Sequence, residues 1–112
     1  MARNRIYERW YIPKSVVAIV LSVCCDYERR QRAIERKAVT DAIRGEFERL
    51  NGIIDLALLD IEPGIRKCLL DDIAGARGYM NSPCSAIIAK NTYYNRKRKL
   101  IHDIAVGLNL IT

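Results

Sequence analysis

Residues 90–99, Lys-Asn-Thr-Tyr-Tyr-Asn-Arg-Lys-Arg-Lys, hold five positive charges and no acid, and run unbroken into the apolar-periodic segment Leu100 to Leu110. Both halves read as one amphipathic helix. At about 100° per residue, Tyr94, Ile101, Ile104, Ala105 and Leu108 share one face, with Tyr93 and Leu100 at its margin. Thr92, Asn95, Arg96, Lys99 and His102 share the opposite face. The apolar stripe anchors such a helix in a core. The outer stripe offers hydroxyl, amide and guanidinium groups, which read base edges and grip phosphates. Lys97 projects toward the apolar side and has to snorkel. The expectation is a recognition helix over residues 91–107.

Three features favour nucleic acid over a merely solvated face, the first being that the charges interleave with Thr, Asn and Tyr, which can hydrogen-bond or stack. Cations in the first turns of a helix oppose its macrodipole and cost stability, so an anionic partner would offset that cost. The formal net charge of +6 is also uneven, since residues 41–72 carry eight acids against four bases and the positive charge gathers toward the two ends.

The remaining composition points to an all-α chain. Half of the 112 residues are hydrophobic, but Phe47 and Trp10 are the single Phe and Trp, so aliphatic side chains must fill the core. Three prolines and six glycines leave long uninterrupted stretches without period-two alternation. Met1 to Ile12 reads as a basic arm carrying Arg3, Arg5 and Arg9, with Tyr7, Trp10 and Tyr11 to dock it. Pro13 opens a helix, where its missing N–H costs nothing, and that helix is expected to run to about Ala38. Thr40 is an N-cap for a second helix bearing Ile43, Phe47, Leu50, Ile54, Ala57 and Ile61 at helical spacing. Glu62-Pro63-Gly64 breaks it. A shorter helix from Ile65 to about Ala76 turns Ile65, Cys68, Leu69, Ile73 and Ala76 inward, Tyr79 to Pro83 is a loop, and Ser85 to Ala89 forms a single turn. The organisation that follows is a basic arm (1–12), a long helical hairpin (13–62) and a C-terminal helix-turn-helix-like unit (63–112).

Ser15 to Cys25 is apolar behind a basic start and imitates a signal peptide, but it is too short to span a bilayer and continues into charged Asp26 to Lys37. It reads as a buried helix. Cys24, Cys25, Cys68 and Cys84 match no zinc spacing, and the lone His102 is distant in the chain. Reduced core cysteines are expected.

From Gly64 onward the order is a short helix, a Gly-Tyr loop, a small-residue turn, Asn-Thr-Tyr-Tyr-Asn-Arg-Lys-Arg-Lys-Leu-Ile, and Ile-Ala-Val-Gly-Leu-Asn-Leu-Ile. This resembles the C-terminal part of small phage and prophage regulators of Gram-positive bacteria of the ArpU/RinA type, whose helix-turn-helix is similar to region four of sigma factors. The resemblance covers about the last 50 residues. It implies that Thr92, Tyr93, Asn95, Arg96, Lys97 and Lys99 face DNA while Leu100, Ile101, Ile104, Ala105 and Leu108 are core. Met80 to Cys84 departs from the pattern by interrupting the helix before the turn.

The expected function is a transcriptional regulator that places its basic helix in the major groove. Lys90, Arg96, Lys97, Arg98 and Lys99 would contact phosphates, Asn95 and Arg96 would read bases, and Arg3 and Arg5 would reach a minor groove. Double-stranded DNA is the expected partner, host RNA polymerase and a second copy of the chain are further candidates, and the bacterial host cytoplasm is the expected location. The alternative is a helical interaction or phage assembly adaptor that binds no nucleic acid. Catalysis is not expected. There is one His, no phosphate loop and no metal-ligand cluster, and Asp71 and Asp72 diverge on a helix. Neither cofactor nor metal nor membrane partner is expected.

Overall fold

A computed structural model describes residues 11–37 and 39–112. The arm residues Arg3, Arg5, Tyr7, Arg9 and Trp10, and Ala38, lie outside the described residues. Among the described residues there are five α-helices and no strand: α1 Lys14–Cys25, α2 Tyr27–Arg36, α3 Asp41–Leu58, α4 Arg66–Ala74 and α5 Lys90–Gly107. Short 3₁₀ turns occupy Pro63–Ile65, Tyr79–Asn81 and Pro83–Ala86. The all-α expectation is met.

The first long helix is two helices, and this changes the packing. Asp26 ends α1 and starts α2, and its carboxylate pairs with Arg29. Arg30 is only 3% exposed because it ties the junction together. Its Nε donates to Asn51 Oδ1 at 2.7 Å and its Nη2 donates to the Val23 carbonyl. Asn51 Nδ2 donates in turn to the Tyr27 carbonyl at 3.1 Å. A buried guanidinium is tolerated because its donors are satisfied. The expected hairpin therefore forms only between α2 and α3, whereas α1 turns away to pack on α4 and α5.

Helix α3 starts as read, with Thr40 Oγ1 accepting from the Ile43 N–H at 3.4 Å. At its other end Arg66 Nε donates to the Ile61 carbonyl at 2.7 Å, taking up an acceptor beyond the last helical turn. Helix α5 packs against both α1 and α3. The α3–α5 crossing is close at Gly107, where an added Cβ would meet Ile53 Cγ2 at 2.6 Å.

One core collects Val20 and Cys24 from α1, Ile54 and Ala57 from α3, Leu69 and Ile73 from α4, and Tyr93, Leu100, Ile101, Ile104 and Ala105 from α5. It runs across the boundary expected at 62–63, so that boundary does not divide two cores. Cys68 and Cys84 form a disulfide between α4 and the 83–86 turn, which corrects the expectation that all four cysteines are reduced; Cys24 and Cys25 are free. Sequence reasoning missed the bond because 15 residues separate the two cysteines, and only the turns after α4 bring Cys84 back to it. Ala76, expected inward, is exposed with φ of 54° just beyond the end of α4.

Candidate nucleic-acid interface

The C-terminal basic run folds as expected into helix, beginning at Lys90 rather than Asn91. Its N-cap is Ala89, with no side-chain hydrogen bond to the first turn and no acid in that turn. The first N–H groups of an 18-residue helix are thus left to solvent or a ligand, with exposed Lys90 and Asn91 beside them. Thr92 and Asn95 follow, both half-buried.

Tyr93 does not face outward. It is fully buried, edge-on to the Tyr79 ring at 5.3 Å and to the Tyr94 ring at 5.0 Å. Its hydroxyl donates to Asp72 Oδ2 at 2.8 Å. The DNA-facing role carried over from the resemblance fails for this residue, because helical position alone placed it at the margin of the stripe and α4 covers that margin. Burial, with the Asp72 carboxylate next, pushes its phenol above the ordinary tyrosine range.

Asp72 was dismissed at the sequence level together with Asp71, yet it is 0% exposed. Its Oδ1 lies 3.2 Å from Arg77 Nε, close enough for an ion pair but without hydrogen-bond alignment. Lys97 snorkels as expected. Its Nζ donates to the Arg77 carbonyl at 2.6 Å and lies 5.5 Å from the Tyr93 ring centre. Burial holds its ammonium below the ordinary lysine range. Asp72, Arg77, Tyr93 and Lys97 together lock α5 to the end of α4.

The outer cations are not bare. Arg96 Nε donates to Glu62 Oε1 at 2.8 Å, and that bond holds the Glu62 carboxyl below its ordinary range. Lys99 Nζ reaches Asp103 at 2.6 Å and Asp60 at 3.5 Å. Partial burial works against its charge, but these carboxylates prevail and hold it above the ordinary lysine range. His102 Nδ1 lies 3.3 Å from Asp103 Oδ1. Arg98 borders a cleft of about 210 Å³ with Ile12, Val17, Tyr94, Lys97 and Ile101. The structure thus brings Thr92, Asn95, Arg96, Lys97, Arg98, Lys99 and His102 onto one helix, while Arg3 and Arg5 lie outside the described residues.

Sequence reasoning missed Asp60 and Glu62 as partners of this helix. Their signal was present in the acidic middle of the chain, but only the path from α3 to α4 carries them across the outer face of α5.

Among the described residues no cluster of His, Cys, Asp or Glu is arranged to hold a metal ion, and no helix is long and apolar enough to cross a membrane. Compared with family models, curated proteins and solved structures, the chain matches none.

Proposed function

We propose that this chain is a small DNA-binding protein of the phage-regulator kind, and that α5 docks N-terminus first against the phosphates of duplex DNA. The observation that carries the reading is the opening of α5. An uncapped helix N-terminus with no acid and an exposed Lys90 in its first turn is unfavourable on its own, and four further cations follow by Lys99. A phosphate would satisfy the N–H groups and the charge together. Thr92 and Asn95 lie next along the helix, in the region that contacts base edges in helix-turn-helix proteins. A second copy would double these contacts, and host RNA polymerase fits a regulator acting in the host cytoplasm.

The pairing of Arg96 with Glu62 and of Lys99 with Asp60 shapes how this would work. These acids compete with phosphate for the same cations, so removing them should raise nonspecific affinity. The test is binding of the purified chain to mixed duplex DNA across a salt series. Affinity should fall steeply with salt, Lys90→Glu should weaken it, and Glu62→Gln should strengthen it. No binding at low salt would refute the reading.

A second reading is favoured by one observation. Leu56, near the end of α3, and Leu59, just beyond it, are 69% and 64% exposed. Leu56 and exposed Val106 border a groove of about 340 Å³ with Asp60, Lys99 and Asp103. An interaction adaptor would use such a surface, and self-association or partner capture without DNA binding would favour it.

A further inference from the structure

Beyond the Arg77 contacts, residues 79–89 are held to the rest of the protein by Tyr79 and Ile88 packing on the core and by few other contacts. Met80, Asn81, Pro83, Ser85, Ala86, Ile87 and Ala89 are exposed, and within residues 79–89 only Ser82 and Cys84 are buried. Tyr79 Oη donates to the Ile88 carbonyl at 2.7 Å and Ser82 Oγ accepts from the Cys84 N–H at 3.0 Å, but both bonds are internal to the segment. The backbone N–H of Tyr79 donates to Tyr94 Oη at 3.3 Å on α5. The covalent tie to α4 is the Cys68–Cys84 disulfide. Its two ends differ in access, since Cys84 is fully buried while Cys68 is partly exposed.

We propose that this disulfide is a redox latch on the N-terminal end of α5, opened by a low-molecular-weight thiol and closed by the corresponding disulfide. The incoming thiolate attacks Sγ of Cys68, the sulfur within reach. The Cys68–Cys84 bond breaks, a mixed disulfide forms on Cys68, and Cys84 leaves as a thiolate that takes a proton. A second thiol attacks the mixed disulfide at the small molecule's sulfur and releases Cys68 as a thiol. Overall, two thiols are oxidised to one small disulfide while one protein disulfide becomes two thiols.

Opening frees residues 79–89 from their covalent tie to α4, while Arg77 stays held by Asp72 and Lys97. Cys84 is one member of the core, but Leu69, Ile73, Leu100, Ile101 and Ile104 also pack with Val20 and Ile54 from α1 and α3 and stay closed. Tyr93 stays on Asp72, so the part of α5 that loosens is Lys90 to Thr92, ahead of that anchor. The consequence for DNA affinity rests on the proposed function above; the latch itself does not.

Hydrogen exchange of the full chain, with and without a reducing thiol, tests the latch. Closing a loop of this length implies that exchange across 79–89 rises on the order of a hundredfold on reduction, while 100–105 stays protected. Cys68→Ser with Cys84→Ser should reproduce the reduced pattern and abolish the response to thiol. Cys25→Ser should leave the response intact. Unchanged exchange, or equal loss of protection everywhere, would overturn the latch; the second result would make the bond a plain structural staple. Duplex binding measured in both states should be weaker after reduction. Equal, measurable binding in both states would overturn the coupling to α5. Binding in neither state would overturn the nucleic-acid reading, with the exchange result still deciding the latch.

Discussion

Replacing Tyr93 by Phe keeps the ring that packs on Tyr79 and Tyr94 and deletes one donor. That donor holds Asp72 Oδ2 at 2.8 Å inside the core, with both residues 0% exposed. Hydrogen bonds to charged groups contribute about 1.5–3 kcal/mol net, and a buried acceptor stripped of its donor retains its full desolvation cost. Arg77 remains 3.2 Å from the other carboxylate oxygen, so the charge is not abandoned altogether and the loss should lie near 2 kcal/mol. For a domain of this size that corresponds to a fall in Tm of about 8 °C. Asp72→Ala, Tyr93→Phe and the double variant complete a cycle, which should return a coupling of about 1–3 kcal/mol because the two groups touch. Urea unfolding measures all three. A loss under about 0.5 kcal/mol for Tyr93→Phe, or a coupling of zero, would refute the claim that this pair locks α5 to α4.

Three other outcomes are expected. Gly107→Ala should cost about 1–3 kcal/mol in thermal unfolding, because its Cβ would meet Ile53 Cγ2 at 2.6 Å, and Ile53→Ala should recover part of the loss. Thiol titration of the native, unreduced protein should find one reactive group, Cys25. Burial pushes the Cys24 thiol up to about 12, so it should react only after denaturation, and Cys68 and Cys84 only after reduction. Acid should weaken the fold. The Arg96 hydrogen bond lowers Glu62 from an ordinary 4.5, and the Arg29 hydrogen bond lowers Asp26 from an ordinary 3.8. A carboxyl depressed in the folded state stabilises fully above its unfolded value and ceases to do so as pH falls through the folded one. Urea midpoints should therefore hold from pH 7 to about pH 5 and decline below it, and Glu62→Gln should remove part of that decline.

The helical elements were legible because each rests on local chemistry. Thr40 as an N-cap, Glu62-Pro63-Gly64 as a break and the 3.6-residue spacing of Leu100, Ile101, Ile104 and Ala105 involve neighbours a few residues apart. The break at Asp26 was not legible. A helical pattern continues through it, and the device that stabilises the junction, Arg30 on Asn51, spans 21 residues. Because that break turns α1 onto α4 and α5, an expected hairpin became a bundle with one core.

The candidate site divides along the same line. Helix amphipathicity, the density of positive charge and the snorkelling of Lys97 follow from the sequence alone, since side-chain direction on a helix is fixed by position. Which margin of the stripe is covered depends on the neighbour that arrives there. Tertiary packing alone therefore decided that Tyr93 enters the core against Asp72, that Glu62 and Asp60 cross to Arg96 and Lys99, and that Cys84 meets Cys68. Each of these contacts joins residues at least 16 positions apart, and its energy exists only once the chain between them has closed, so no local pattern encodes it.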